Sequence, residues 1–245
     1  MTGVLAGPGS RFAAAPRLAP RVGRLGLRAL QVALAEDHPD WTVTRLAAAA
    51  NVPVGQARTV LGELERSGLA RVVGIGTNQR RVIKNRSDAL DWALAIERSR
   101  PNPHVTTVRV ATQDHAALRC RVAELADRAR VRCAVTGVAG AHLLSGASSA
   151  PPSTLQVRVS GHAVEIARRL RQERAGATDG ERSTMLELWA DTGNLGTCDA
   201  RDVCGVPVAH PVRVWLDLAG NDDRYAEVAQ RFRECVVERP RARVS

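Results

Sequence analysis

Between Thr44 and Gly68 the chain holds two helical repeats with only Asn51-Val52-Pro53 between them, and this spacing limits what the N-terminal third can become. The first repeat, Arg45–Ala50, ends in an alanine run that lets another helix cross closely over it. Asn51 tolerates positive φ and Pro53 halts the preceding helix, so the three residues read as a tight turn. In the second repeat Val54, Ala57, Val60, Leu61 and Leu64 share one face, and Ser67-Gly68 supplies a C-terminal stop. Upstream, Leu27, Leu30 and Leu34 recur at helical spacing, which predicts a first helix ending near Asp37 and Pro39. Trp41-Thr42-Val43 reads as a short extended piece, and Thr44 is placed to cap the helix that follows.

Two β-prone runs come next, Leu69–Val73 and Arg80–Lys84, around the turn-rich Gly74-Ile75-Gly76-Thr77-Asn78-Gln79. Three helices followed by a hairpin predict a winged helix-turn-helix over residues 24–86. Its third helix would enter the major groove of double-stranded DNA by its N-terminal half, while the second crosses the backbone. Gln56, Arg58, Thr59 and Gly62 lie off the apolar stripe of that third helix, where Gln56, Arg58 and Thr59 are expected to hydrogen-bond base edges and phosphates and Gly62 to permit close approach. Arg58 is expected to read bases, and Arg45 on the second helix to position the protein. Arg71, Arg80, Arg81 and Lys84 on the hairpin are expected to meet phosphates. Gly74-x-Gly76 lacks the third glycine and following helix of a dinucleotide fingerprint. The same unit can also serve protein contacts, in which case it never touches DNA.

Charge favours a polyanionic partner. Residues 1–86 hold 13 Lys/Arg against 5 Asp/Glu, a net of +8, whereas residues 87–245 hold 22 against 20, a net of +2. A positive field concentrated in the first third attracts phosphates and releases their counterions. The near-neutral remainder is expected to add little to duplex binding. All but one of the basic residues are Arg, which fits a GC-rich coding bias but leaves the asymmetry unexplained. No apolar run approaches the roughly 20 residues of a membrane span. The first 35 residues carry five Arg and no acid, and their apolar stretches are interrupted. They read as a flexible basic arm over residues 1–23 rather than as a secretion signal. A cytoplasmic protein at the nucleoid is expected.

A helix from Ser87 through Ser99 and the break Pro101-Asn102-Pro103 make residues 87–103 a linker, leaving 104–245 as a second domain. There β-like and helical runs alternate. Strands are expected at Val105–Ala111, Arg132–Thr136, Thr154–Ser160, Thr184–Ala190 and Val206–Ala209. Helices are expected at Asp114–Arg130, Val138–Leu144, His162–Gln172, Val212–Leu218 and Asp222–Val236, the last with Tyr225, Val228, Ala229, Phe232 and Val236 on one face. The alternation predicts a mixed α/β domain, so the whole chain is of α+β or α/β class.

The order of these elements resembles the nucleotidyltransferase-like fold, in which a strand ending in Thr-Gly leads into a helix and the next strand carries two metal-binding acids. Thr136-Gly137 and its helix are present, but Thr154-Leu155-Gln156-Val157-Arg158-Val159 contains no acid. Gln and Arg cannot replace metal-binding carboxylates, so the resemblance implies a degenerate form without the chemistry. A metal-dependent nucleotidyl- or phosphotransferase is thereby the weaker alternative. Asp191 and Asp217 are the remaining well-placed acids, and the apolar setting of Asp217 predicts capping or an ion pair. His104, His115, His142, His162 and His210 are scattered, and five residues separate Cys198 from Cys204 with no Cys-x-x-Cys anywhere. Reduced thiols, no metal, no cofactor and no catalytic constellation are expected.

The run from Val135-Thr136-Gly137 to Leu143-Leu144, the run from Gly205-Val206-Pro207 through Pro211-Val212-Arg213-Val214-Trp215-Leu216-Asp217-Leu218, and the Asp222–Glu234 helix resemble the AbiEi-type antitoxins of type IV toxin–antitoxin systems. The resemblance covers most of the chain from about residue 24. It implies a repressor that binds operator repeats, possible as a homodimer, and a C-terminal domain that opposes a nucleotidyltransferase-like toxin.

Overall fold

The computed structural model describes residues 22–35, 40–112, 114–145, 154–172, 183–221 and 225–237. The basic arm expected over residues 1–23 lies outside them except for Val22 and Gly23. The start of the helix expected at Asp222 also lies outside them. The fold is mixed α+β, with a three-stranded and a six-stranded sheet among the described residues.

The first unit comprises α1 (Arg24–Ala35), β1 (Asp40–Trp41), α2 (Val43–Ala49), α3 (Val54–Arg66), β2 (Ala70–Val73) and β3 (Arg80–Ile83). Leu27, Leu30, Leu34, Leu46, Ala57, Val60, Leu61 and Leu64 are buried where the three helices meet, with Trp41 beside them. Gly26 lets α1 approach α3, since a Cβ there would stand 3.3 Å from Val60. The turn between α2 and α3 forms as expected, with Asn51 at φ 47. Two local expectations are corrected. Thr42, not Thr44, caps α2: its hydroxyl accepts the Arg45 N–H at 3.2 Å, because extended backbone ends one residue after β1. Val54 is 47% exposed, since it opens α3 ahead of the turn at which burial begins with Ala57.

The small sheet runs β1-β3-β2, antiparallel throughout. Directly opposed residues share a face, so its register sorts the side chains. Ala70, Val72, Arg81, Ile83 and Trp41 face the helices, and Arg71, Val73, Arg80, Val82 and Asp40 face away. A single 3-10 turn, Gly76–Asn78, forms the tip of the hairpin. Gly74 is required just before it. Its φ is 89, and a Cβ there would lie 2.6 Å from the Asn78 carbonyl oxygen.

Helix α4 (Arg86–Arg98) is capped by Asn85 rather than Ser87, with the Asn85 amide oxygen accepting the Ser87 and Asp88 N–H groups. Its buried Ala89, Leu90, Ala93 and Ile96 pack against α1 and against α8 (Pro211–Asn221). The large sheet uses β4 (Val105–Val110), β5 (Cys133–Thr136), β6 (Thr154–Val159), β7 (Thr184–Ala190), β8 (Arg201–Val203) and β9 (Val206–Val208), in the order β4-β7-β6-β5-β9-β8. β7 and β6 are parallel, as are β5 and β9, and the other pairs are antiparallel. The remaining helices are α5 (His115–Arg128), α6 (Gly137–Ser145), α7 (Ala163–Gln172) and α9 (Ala226–Phe232), which continues as π-type helix through Val237. Val228 is exposed rather than inward on α9. The π-type segment instead turns Arg233 inward, where it bonds Asp91 and Ser87 of α4 and lies 5.1 Å from the Trp215 ring. No described helix is long and apolar enough to cross a membrane.

Candidate nucleic-acid interface

Burial of Ala57, Val60, Leu61 and Leu64 turns Gly55, Thr59, Gly62 and Arg66 of α3 to the opposite side, with Arg58 on one flank and Gln56 on the other. A Cβ added at Gly55 or Gly62 would meet nothing within 4 Å, so this face is low and open. Arg58 is exposed, and no hydrogen bond or ion pair ties its guanidinium among the described residues. Thr59 spends its hydroxyl on the Gly55 carbonyl at 2.9 Å. Gln56 is half-buried, its Oε1 3.6 Å from where a Gly26 side chain would begin, so it lines the seam with α1.

On the hairpin, Arg71 and Arg80 stand on the outward face, while Arg81 faces α3 and pairs with Glu65 at 3.6 Å. Lys84 is exposed just past β3. Asp40 is a local counter-charge: Arg80 reaches it at 3.1 Å and Arg45 at 3.5 Å. Arg45 also lies 4.8 Å from the centroid of the Trp41 ring. Both pairs with Asp40 are more than one-third exposed, and such pairs contribute about 0–1 kcal/mol. A phosphate can therefore displace Asp40 at little cost. Among the described residues, Arg58, Arg71 and Lys84 thus remain as exposed cations without a protein counter-charge, and Arg45 and Arg80 as cations held in reserve. The tip carries Ile75, 90% exposed.

One face of the large sheet is filled by a buried ion-pair network. On β6, Leu155, Val157 and Val159 point one way, and Gln156 and Arg158 the other. Arg158 is buried and donates to Asp217 of α8 at 2.5 and 2.7 Å and to Asp191 at 3.3 Å. Thr136 donates its hydroxyl to Asp217, and Arg213 bonds both Asp217 and Glu97 of α4. Gly137 stands where any Cβ would collide with the Gln156 amide, and Gly196 where one would lie 2.3 Å from Arg158 Cδ. Burial alone would raise the pKa of Asp217, but Arg158 and Arg213 outweigh it and hold the carboxyl below its ordinary range. Likewise burial would lower that of Arg213, and Asp217 with Glu97 holds it up. Asp217 is an ion-pair member, as its apolar setting predicted.

Asp191 also accepts the Gly196 and Thr197 N–H groups and the Thr197 hydroxyl, which fixes the loop after β7. That loop reaches the first unit. Arg28 of α1 donates to the Gly193 carbonyl at 3.4 Å, to the Ala50 carbonyl at 2.7 Å and to the Asn51 carbonyl; Gln31 donates to the Leu195 carbonyl at 2.9 Å. The sequence reading missed both residues, yet their signal was present: they are the only polar residues between Leu25 and Ala35, one turn apart.

Among the described residues no three His, Cys, Asp or Glu side chains gather as metal ligands. All five cysteines are free thiols. Burial pushes Cys133 up to about 11, and burial with the Asp199 charge pushes Cys198 up to about 12, so neither is a ready nucleophile. No protein-family model, curated protein or solved structure matches the chain.

Proposed function

We propose that this protein is a sequence-specific DNA-binding transcriptional regulator, acting as a repressor through a winged helix-turn-helix formed by α1 to α3 and the β2–β3 hairpin. The observation that carries this reading is the open face of α3. Gly55 and Gly62 leave it free of obstruction, and Arg58, without a partner among the described residues, stands on its flank, while Arg71 stands on the outward face of the hairpin. The net charge of +8 over residues 1–86 supports the same assignment. Arg58 would read base edges, and Arg71, Lys84, Arg80 and Arg45 would grip phosphates. The resemblance to AbiEi-type antitoxins supports a further role in opposing a nucleotidyltransferase-like toxin. Here the large sheet would serve as scaffold and partner surface rather than as a catalyst, since Arg158 engages both acids.

The experiment is fluorescence anisotropy on a selected duplex over a range of salt. Arg71→Ala and Lys84→Ala should each flatten the slope of log affinity against log salt by up to about 0.9. Arg81→Ala, whose partner is Glu65, should leave it nearly unchanged. Equal slopes for all three variants and the wild type would remove the hairpin from the interface. One observation favours a protein-contact role instead: Val72, Val73 and Ile75 are exposed on the hairpin. No binding to duplex at any salt would favour that reading.

A further inference from the structure

Where the start of α1, the end of α4 and the loop after β7 converge lies a cavity of about 280 Å³. Its wall includes Arg24, Glu97, Arg100, Arg158, Thr192 and Leu195. Arg158 is already engaged by Asp191 and Asp217. Arg24 and Arg100 differ: among the described residues neither guanidinium has a hydrogen bond or an ion pair. Burial lowers the pKa of Arg100, Glu97 opposes that, and Arg24 and Arg213 lower it further. Such a group is a cation short of anions. Around the cavity, Arg24, Arg100, Arg158 and Arg213 outnumber Glu97, Asp191 and Asp217 by one charge. Glu97 Oε2, itself buried, accepts no hydrogen bond. That atom has no surface open to the cavity, so the wall offers a ligand two guanidinium forks without partners among the described residues.

We infer that this cavity binds a small metabolite carrying a carboxylate or phosphate, and that its occupancy sets the DNA affinity of α3. The oxyanion would lie against Arg24 and Arg100, whose planar forks fit either group. At about 280 Å³ the volume falls just below the usual range of ligand pockets, about 300–1,000 Å³, which excludes a dinucleotide. The regulatory half rests on the DNA-binding reading and on one chain of contacts. The Gly193 backbone packs on Arg24, with a Cβ there only 3.2 Å from Arg24 Cβ. The Gly193 carbonyl also accepts from Arg28, which holds the Ala50 and Asn51 carbonyls at the turn leading into α3. A ligand that moves the cavity wall thus pulls on the turn that aims α3.

The test uses the full chain with millimolar glycerol phosphate or malate at constant ionic strength, and sodium chloride as control. At least one probe should raise the thermal midpoint by about 5 °C and change the affinity for a selected duplex by about fivefold or more. Which probe acts identifies the oxyanion. Arg100→Ala should abolish the thermal shift while keeping its own midpoint and its probe-free DNA affinity, and Arg100→Lys should restore part of the shift. No shift with either probe, or an equal shift in Arg100→Ala, overturns the site. A shift without any change in DNA affinity overturns the coupling. A chain that binds no duplex at all contradicts the DNA-binding reading, and the melting data still decide the cavity.

Discussion

At Gly62 the needs of folding and those of the proposed recognition face diverge. It lies within α3, where glycine costs about 0.5–1 kcal/mol relative to alanine, and nothing stands within 4 Å of where its Cβ would be. For folding alone it is a poor choice. Its use follows if another surface must approach the backbone there, as a groove floor does. Gly62→Ala should therefore raise stability by about that amount in urea unfolding, and Gly62→Gln should keep most of the gain. Gly62→Gln should nevertheless weaken duplex binding by tenfold or more. Stabilisation with unchanged affinity would place the groove elsewhere. Arg58 was legible in the sequence because its offset from the Ala57–Leu61 stripe is a local property. Gln56 shared that offset, yet lines the seam with α1, because only the approach of Gly26 decides which flank of α3 is covered.

At the level of elements, the helices α1 and α3 follow from leucine periodicity, and the β2–β3 hairpin follows from its glycines. Strand β8 does not: Arg201-Asp202-Val203 carries two charges in three residues, and it becomes a strand only because β9 offers it an edge. The role of β6 was half legible. Its lack of acids is written in the sequence, but the partners of Arg158 lie 33 and 59 residues away, beyond any local pattern. That arginine is a structural post between the sheet and α8. Asp217→Asn would leave Arg158 and Arg213 buried beside a neutral group, and breaking such a network costs about 3–5 kcal/mol. Urea unfolding should register a loss of that order, and a loss under about 1 kcal/mol would contradict the post. Acid should act the same way. The carboxyl of Asp217 is held below its ordinary 3.8, so its contribution is full above that pH and is lost as pH falls through the lower folded value. The Asp217→Asn variant should lack this step in an acid titration of stability.

Across the whole molecule, the buried side chains form one continuous cluster from Leu27 and Trp41 to Trp215 and Phe232. Helix α1 packs on α3 and also on α4 and α8, and Arg28 with Gln31 ties it to the loop after β7. Calorimetry of the full chain should accordingly show one unfolding transition, lowered by Arg28→Ala, which removes bonds of roughly 1.5–3 kcal/mol from a buried guanidinium. Two separate transitions would mean that the helical unit and the large sheet fold independently. In the proposed function, α3 reads one sequence through its open face. The most direct check is selection of preferred sites from a random duplex library, with the wild-type chain and with Arg58→Ala in parallel. The wild type should enrich a defined motif, and Arg58→Ala should lose preference at one or two positions within it, worth about 1–3 kcal/mol of discrimination. Enrichment of no motif by the wild type, or an identical motif from both proteins, would contradict base readout by α3.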